Sequence, residues 1–268
     1  MTLTGTAMGS APTSTASPLD AFRLDGRVVV LTGASSGLGV GFARALAAVG
    51  AHLVLAARRS HLLEKHAERL RASGSRVVTQ VADVSSPEDC RAVAARAVEE
   101  FGRIDVLVNN AGLGTAVPAS RETPESFDSV IDVNLRGTFW MAQACAPAMP
   151  PGSAIVNVAS VLGLVAPRFP QASYAASKAG VIGLTRDLAQ EWSGRRGIRV
   201  NALCPGYFAS EMTAGDDTVL REMVAAQSIL GRFGEQHELD SALLYLASPA
   251  SSYVTGTTLT VDGGLAAV

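Results

Sequence analysis

In the run YAASK, a phenol and an ammonium stand four positions apart, at Tyr174 and Lys178. On a helix, residues i and i+4 share a face, so both groups point into one volume. A phenol ordinarily loses its proton near pH ~10 and a lysine near ~10.4, and a fixed cation beside the phenol favours phenolate. A pair held that way can pass a proton at neutral pH. Upstream, Ser160 follows the apolar run AIVNVA, and its hydroxyl can donate a hydrogen bond to a carbonyl oxygen and hold it beside the Tyr174 proton. Five residues alone also match idle helix surfaces, so the elements that carry these side chains must decide.

Short runs rich in β-branched residues recur along the chain: 28–31, 52–56, 76–81, 104–109, 154–159, 198–203 and 257–261. Between them lie helical patterns, among them GFARALAAV, SHLLEKHAERLRA, PEDCRAVAARAVEEF, ESFDSVIDVNLRGTFWMAQACA, SYAASKAGVIGLTRDLAQEW and HELDSALLYLA. Strands too apolar to expose a face, alternating with helices, predict a Rossmann-like α/β fold: a doubly wound parallel sheet of about seven strands with helices on both faces. Ligands of such sheets lie beyond the carboxyl ends of the strands. In this sequence, glycine and polar residues cluster where the apolar runs stop.

After the first strand comes TGASSGLG, with Gly33, Gly37 and Gly39 leading into a helix. Glycine permits a tight turn and lets backbone amides approach a pyrophosphate, while the helix start favours negative charge. No Gly-Lys-Ser/Thr follows, which disfavours a P-loop. A carboxylate for a ribose diol is expected ~20 residues further on. The second strand instead ends in AARRS, and Arg58 offers a planar fork of donors to a ribose 2′-phosphate. That favours NADP over NAD. The third strand ends in Asp83 and Val84, where a carboxylate can accept from an adenine amine; the fourth ends in Asn109, Asn110, Ala111 and Gly112.

The 268 residues suffice for one domain, expected over 23–268 behind a loose Ser/Thr/Pro-rich tail at 1–22. A net charge of −2 gives no broad positive field for nucleic acid. Cys90, Cys145 and Cys204 lie far apart without metal-ligand spacing, so no metal site is expected and a reducing cytoplasm is the simplest location. Cys204 reads as a small hydrophobe. The charge-free stretch between Arg136 and Arg168 is broken by Pro147, Pro150, Pro151 and Gly152, which argues against a membrane span. Its helix TFWMAQACAPAM could face another subunit. His52, His61, His66 and His237 fall outside the strand-end cluster, so a serine hydrolase built on Ser160 has no imidazole base.

TGASSGLG, Asp83-Val84, NNAG at 109–112, DVNLRG, NVASVLG, YAASK, NALCPG and TGTTLTVDGG occur in the order seen in short-chain dehydrogenases/reductases. From about residue 24 onward the chain resembles that family, and so many spaced motifs together are specific. The resemblance implies a catalytic set of Asn134, Ser160, Tyr174 and Lys178. Tyr174 would be general acid in reduction and phenolate base in oxidation, with Lys178 lowering its pKa and binding the nicotinamide ribose. Asn134 would hold a water that links the lysine to solvent. The family pattern also assigns cofactor contacts to Gly33, Ser35, Ser36, Gly37, Leu38 and Gly39, to Asp83, Val84, Asn110, Ala111 and Gly112, and to Pro205, Gly206 and Ser210. Serine stands at 210 where threonine is common. The stretch from Ser160 to Tyr174 is longer than usual and contains Pro167 and Pro170, so the substrate loop departs from the pattern.

Leu162, Leu164, Phe169, Tyr207 and the segment MTAGDDTVLREM are expected to border a ketone or secondary alcohol with an apolar part. Arg168 reads as a surface residue. The expected activity is NADP(H)-dependent hydride transfer between nicotinamide and that small substrate, in a homotetramer or dimer. The alternatives are an NAD-dependent alcohol dehydrogenase, an epimerase or dehydratase on the same fold, and a dinucleotide-binding sensor without turnover.

Overall fold

The computed structural model describes residues 17–114, 116–166, 169–208 and 218–267. Seven strands form one sheet: β1 (Val28–Thr32), β2 (His52–Ala57), β3 (Val77–Val81), β4 (Val106–Asn109), β5 (Ala154–Val158), β6 (Arg199–Pro205) and β7 (Thr258–Val261). Their order is β3-β2-β1-β4-β5-β6-β7, and every pairing is parallel. The connections reverse direction between β1 and β4, which opens a crevice at the carboxyl edge there.

Successive strand residues point to opposite faces, and each face has its own helical layer. Val29, Leu31, Leu53 and Leu55 pack against Phe42 and Leu46 of α1 (Gly37–Ala48), Leu63 and Leu70 of α2 (Ser60–Ala72), and Leu239 and Leu243 of α8 (Gln236–Ala247). Val28, Val30, Val54 and Leu107 pack against Val93 of α3 (Pro87–Phe101), Met141 of α5 (Gly137–Cys145), and Leu188 and Trp192 of α6 (Ala172–Arg196). Burial on both sides explains why the strands read as unbroken apolar runs.

Four elements differ from the sequence expectation. The helix foreseen from Gly41 begins at Gly37, inside the glycine turn. The long helix foreseen over 125–146 is α4 (Pro124–Ile131), a π-helical turn (Asp132–Arg136) and then α5. There the Gly137 N–H reaches the Asp132 carbonyl, five residues back. Helix α7 (Thr218–Gln227) is not among the helical patterns picked out in the sequence. Ser17–Phe22 belong to the body and not to a loose tail: Ser17 and Asp20 cap a 3-10 turn reciprocally, and the Phe22 ring sits 6.4 Å from that of Tyr245. Residues 1–16 lie outside the described residues. Among the described residues no helix is long and apolar enough to cross a membrane.

Candidate active site

Ser160, two residues beyond β5, has an extended backbone conformation and is buried, its Oγ accepting the Leu162 N–H at 3.1 Å. Tyr174 and Lys178 occupy the first turns of α6, on one face as their spacing requires. The Ser160 hydroxyl acts on the Tyr174 phenol, pulling its pKa down against burial, so two segments distant in sequence meet here. Tyr174 keeps partial exposure, so a carbonyl can reach it. The Lys178 Nζ lies 5.6 Å from the centroid of the Tyr174 ring and donates to the Val158 carbonyl at 2.8 Å.

The electrostatics differ from the sequence expectation in one respect. Burial pushes the Tyr174 phenol above its ordinary value, and the opposing pull comes from Ser160 and not from the lysine. Lys178 is itself desolvated: burial pushes its ammonium down to about 8. Its ammonium, 5.6 Å from the ring centroid and donating to a backbone carbonyl, does not offset the burial of the phenol. The arrangement therefore holds a protonated phenol at neutral pH.

Asn134 sits in the π-helical turn and is buried. Its Oδ1 accepts from the Leu113 N–H at 2.7 Å, and its Nδ2 donates to the Leu113 carbonyl at 2.9 Å and to Ser177 Oγ at 3.0 Å. The amide thus clamps the chain just beyond β4. A Cβ at Gly112 would stand 3.6 Å from the Lys178 Nζ and 3.3 Å from Asn134 Oδ1, so this glycine leaves the backbone close to both.

The nucleotide end is built from backbone. Gly33 has φ +66, and a Cβ there would meet Ala111 Cα at 2.8 Å; a Cβ at Gly39 would overlap the Gly33 carbonyl. Gly37 has φ +54 and faces open space. Ser36 makes no side-chain cap on α1, leaving the first-turn N–H groups free. Asn110 donates to the Thr32 and Gly33 carbonyls at 3.1 and 3.2 Å, and the Asn110 and Ala111 N–H groups share Thr32 Oγ1. The Asn110 side chain therefore fixes the glycine turn, with its donors already used. Gly206 admits close approach of Asp262, whose Cα would lie 2.7 Å from an added Cβ.

Asp83 is held by its own turn: Ser85 donates its N–H and hydroxyl to Oδ1 at 3.0 and 2.7 Å. Burial raises its pKa, but these bonds and Arg58 outweigh it, and the net shift is downward. Arg58 reaches Asp83 at 3.7 Å. Arg59, to which the sequence reading gave no role, points to the glycine loop, donating to Ser35 Oγ at 3.3 Å and to Ser36 Oγ. Its place directly after Arg58 was the available signal. Ser177 was also missed, although it lies inside YAASK. Together the close-packed glycines, the uncapped α1 start and two arginines at the end of β2 fit a phosphorylated dinucleotide.

Of the residues expected around the substrate, Leu162 is core, while Leu164 and Phe169 are exposed and Tyr207 is partly covered. Val161, Leu162 and Leu265 make a small apolar cluster against which Tyr174 and Tyr207 pack. Ser210, Pro167 and Arg168 lie outside the described residues, as do residues 212–217, the first half of the segment MTAGDDTVLREM. No group of three or more potential metal ligands occurs among the described residues.

A parallel sheet with a glycine turn after its first strand and a serine, tyrosine and lysine converging beyond its fifth defines a dinucleotide-type α/β enzyme. The family model described as enoyl-(acyl carrier protein) reductase matches residues 33–266. Galactitol 2-dehydrogenase (L-tagatose-forming) of Cereibacter sphaeroides is 44% identical over 249 residues, covering 91% of this chain and 96% of that protein. The 3-oxoacyl-(acyl-carrier-protein) reductase of Thermotoga maritima is 40% identical over 245 residues, covering 91% and 99%. A gluconate 5-dehydrogenase from Burkholderia cenocepacia, solved with NADP and tartrate, superimposes with a TM-score of 0.88 at 38% identity, covering 93% and 99%. The chain belongs to the short-chain dehydrogenase/reductase family, whose members are oxidoreductases.

Proposed function

We propose that this enzyme is an NADP(H)-dependent oxidoreductase that interconverts a small ketone and its secondary alcohol. The observation that carries the reading is the convergence of the Ser160 hydroxyl and the buried Lys178 ammonium on the Tyr174 phenol. Bound along the carboxyl edge, the nicotinamide cofactor supplies the hydride acceptor or donor. Ser160 donates to the carbonyl oxygen and fixes it beside the phenol. Tyr174 gives its proton to that oxygen in reduction and recovers it in oxidation. Lys178 supplies positive charge behind the phenol, and Asn134 holds the loop after β4 against α6.

Because burial keeps Tyr174 protonated, ketone reduction is the direction served at neutral pH, and alcohol oxidation accelerates as pH rises toward the raised phenol value. Arg58 and Arg59 together favour a 2′-phosphate, and the B. cenocepacia relative was solved with NADP. The substrate reading follows the relatives, whose names describe a polyol dehydrogenase and a 3-oxoacyl reductase. Residues 23–268 would act as one domain. A charge-free α5 supports self-association into a tetramer or dimer, testable by light scattering. Three buried free thiols suit the cytoplasm.

A panel of ketones, polyols and secondary alcohols, followed by NADPH absorbance, tests the reading. Turnover of at least one ketone is expected, with NADPH stabilising the protein to heat more than NADH. Cofactor binding without turnover across the panel would favour a sensor, and preference for NADH would overturn the phosphate assignment.

A further inference from the structure

Behind the site runs a closed circuit of neutral hydrogen bonds that leaves α6 at one residue and returns to it at another. Thr185 Oγ1 donates to the Val181 carbonyl at 2.8 Å and accepts from Asn157 Nδ2 at 2.9 Å. Asn157 Oδ1 accepts from Asn109 Nδ2 at 2.9 Å, and the same amide donates to the Thr138 carbonyl at 3.2 Å. Thr138 Oγ1 donates to the Asn134 carbonyl at 2.7 Å. Asn134 Nδ2 donates to Ser177 Oγ at 3.0 Å, which donates to the Tyr174 carbonyl at 2.7 Å. Asn157, Ser177 and Thr185 have no exposed surface, and Asn109, Asn134 and Thr138 have 6% or less.

Two links bear on the lysine. Asn157 and Val158 are neighbours on β5, and Thr185 lies two helical turns beyond Lys178, on its face of α6. β5 therefore grips α6 twice: through Asn157 to Thr185, and through the Val158 carbonyl to Lys178 Nζ at 2.8 Å. Apolar residues can replace two buried polar partners of this size at little cost to folding. What a hydrogen-bonded pair adds is a fixed direction and register.

We propose that Asn157 and Thr185 are positioning residues for Lys178, their hydrogen bond setting where α6 lies along β5 and so where the ammonium stands between the Val158 carbonyl and the Tyr174 ring. The inference rests on reading Tyr174 and Lys178 as the proton-transfer pair. The titratable groups facing Lys178 are Tyr174 on its own helix and Cys204 on β6; no carboxylate contributes. With the tie cut, α6 loosens and water reaches the ammonium. Its titration, held near 8 by burial, then moves up toward the ordinary lysine value.

Thr185→Val keeps the shape and removes the hydroxyl, so it tests the tie without opening a cavity. Expected in the full-length enzyme are a kcat lower by about tenfold, KM changed by less than about twofold, and the alkaline pKa of kcat/KM raised by about half a unit or more. Thr185→Ser restores all three. A Thr185→Val enzyme that melts earlier but keeps kcat and its pH profile would show a structural tie only and overturn the proposal, as would failure of the serine to restore the profile. Tyr174→Phe run in parallel separates the layers: undiminished turnover there removes the underlying proton-transfer reading and the positioning role with it.

Discussion

The two ends of the carboxyl edge are built on opposite principles. Beyond β1 to β3, ligand-facing groups are backbone amides and charged side chains with room to move: Arg58 is 59% exposed and Asp83 37%, at a loose 3.7 Å. Beyond β4 and β5, the side chains are neutral apart from Lys178 and almost wholly buried, each bonded in a fixed direction. A large anionic ligand can be recognised by arginines that swing onto it, since charge acts over distance and its pairing is strong. Proton transfer tolerates far less displacement, because the reacting atoms must already be in hydrogen-bond range. The difference predicts that substitutions at the first end shift binding and that substitutions at the second shift rate.

The sharpest way to break that contrast is Tyr174→Phe. Turnover is expected to fall by about 10²- to 10⁴-fold while NADPH affinity, measured by calorimetry, stays within about twofold. An equal loss of affinity would mean that the catalytic end also carries recognition. Next in size, Arg59→Ala should cut the preference for NADPH over NADH by about tenfold or more, and Arg58→Ala should do likewise. An unchanged preference in both variants would remove the phosphate role from the end of β2. Neither should alter kcat with saturating cofactor.

A third expectation concerns stability against pH. Folding lowers the Lys178 pKa from 10.5 to about 8, so between these values the unfolded chain binds the extra proton and stability rises with pH. Lys178→Met removes that dependence. The melting temperature of the variant minus that of the parent should therefore fall as pH climbs from 8 to 10.5, by about 2–4 °C per kcal/mol. A difference that stays constant would show the ammonium to be better solvated than its burial implies. The smallest effect belongs to Gly194→Ala, late in α6 and facing open space. It should add about 0.5–1 kcal/mol of stability by chemical denaturation and leave activity alone.

How far the site could be read in advance divides along the same line. All seven strands were legible: the central ones because burial on both faces leaves an unbroken apolar signal, and the edge strands β3 and β7, only partly buried, by their β-branched content. α2 and α3 were legible to the residue, since Ser86 and Pro87 mark one start and Gly102 one end. Ser160, Tyr174 and Lys178 were legible because a strand end and a helical spacing each constrain direction. The π-helical turn was not, as nothing in DVNLR separates a hydrogen bond reaching five residues back from the ordinary one reaching four. The Asn109–Asn157–Thr185 links were hidden for another reason: the two asparagines follow or interrupt apolar runs, and only the register Asn109 to Asn157 across β4 and β5 makes them neighbours. Arg59 was passed over because sequence gives no sign of which of two adjacent arginines turns inward. The sign of the Tyr174 shift was misjudged because adjacency of charge was visible and depth of burial was not.

The π-helical turn at Asp132–Arg136 carries a consequence for chain length. A wide turn of this kind is a helix with one residue too many, and excising any one residue would let α4 and α5 fuse into a regular rod with its ladder intact. The wide turn absorbs that residue locally, so the helices on either side would keep their faces, but the Asn134 amide would lose its place in the turn and release Leu113. A single codon lost here should thus yield protein that folds and still takes up nucleotide, yet has mislaid its chemistry.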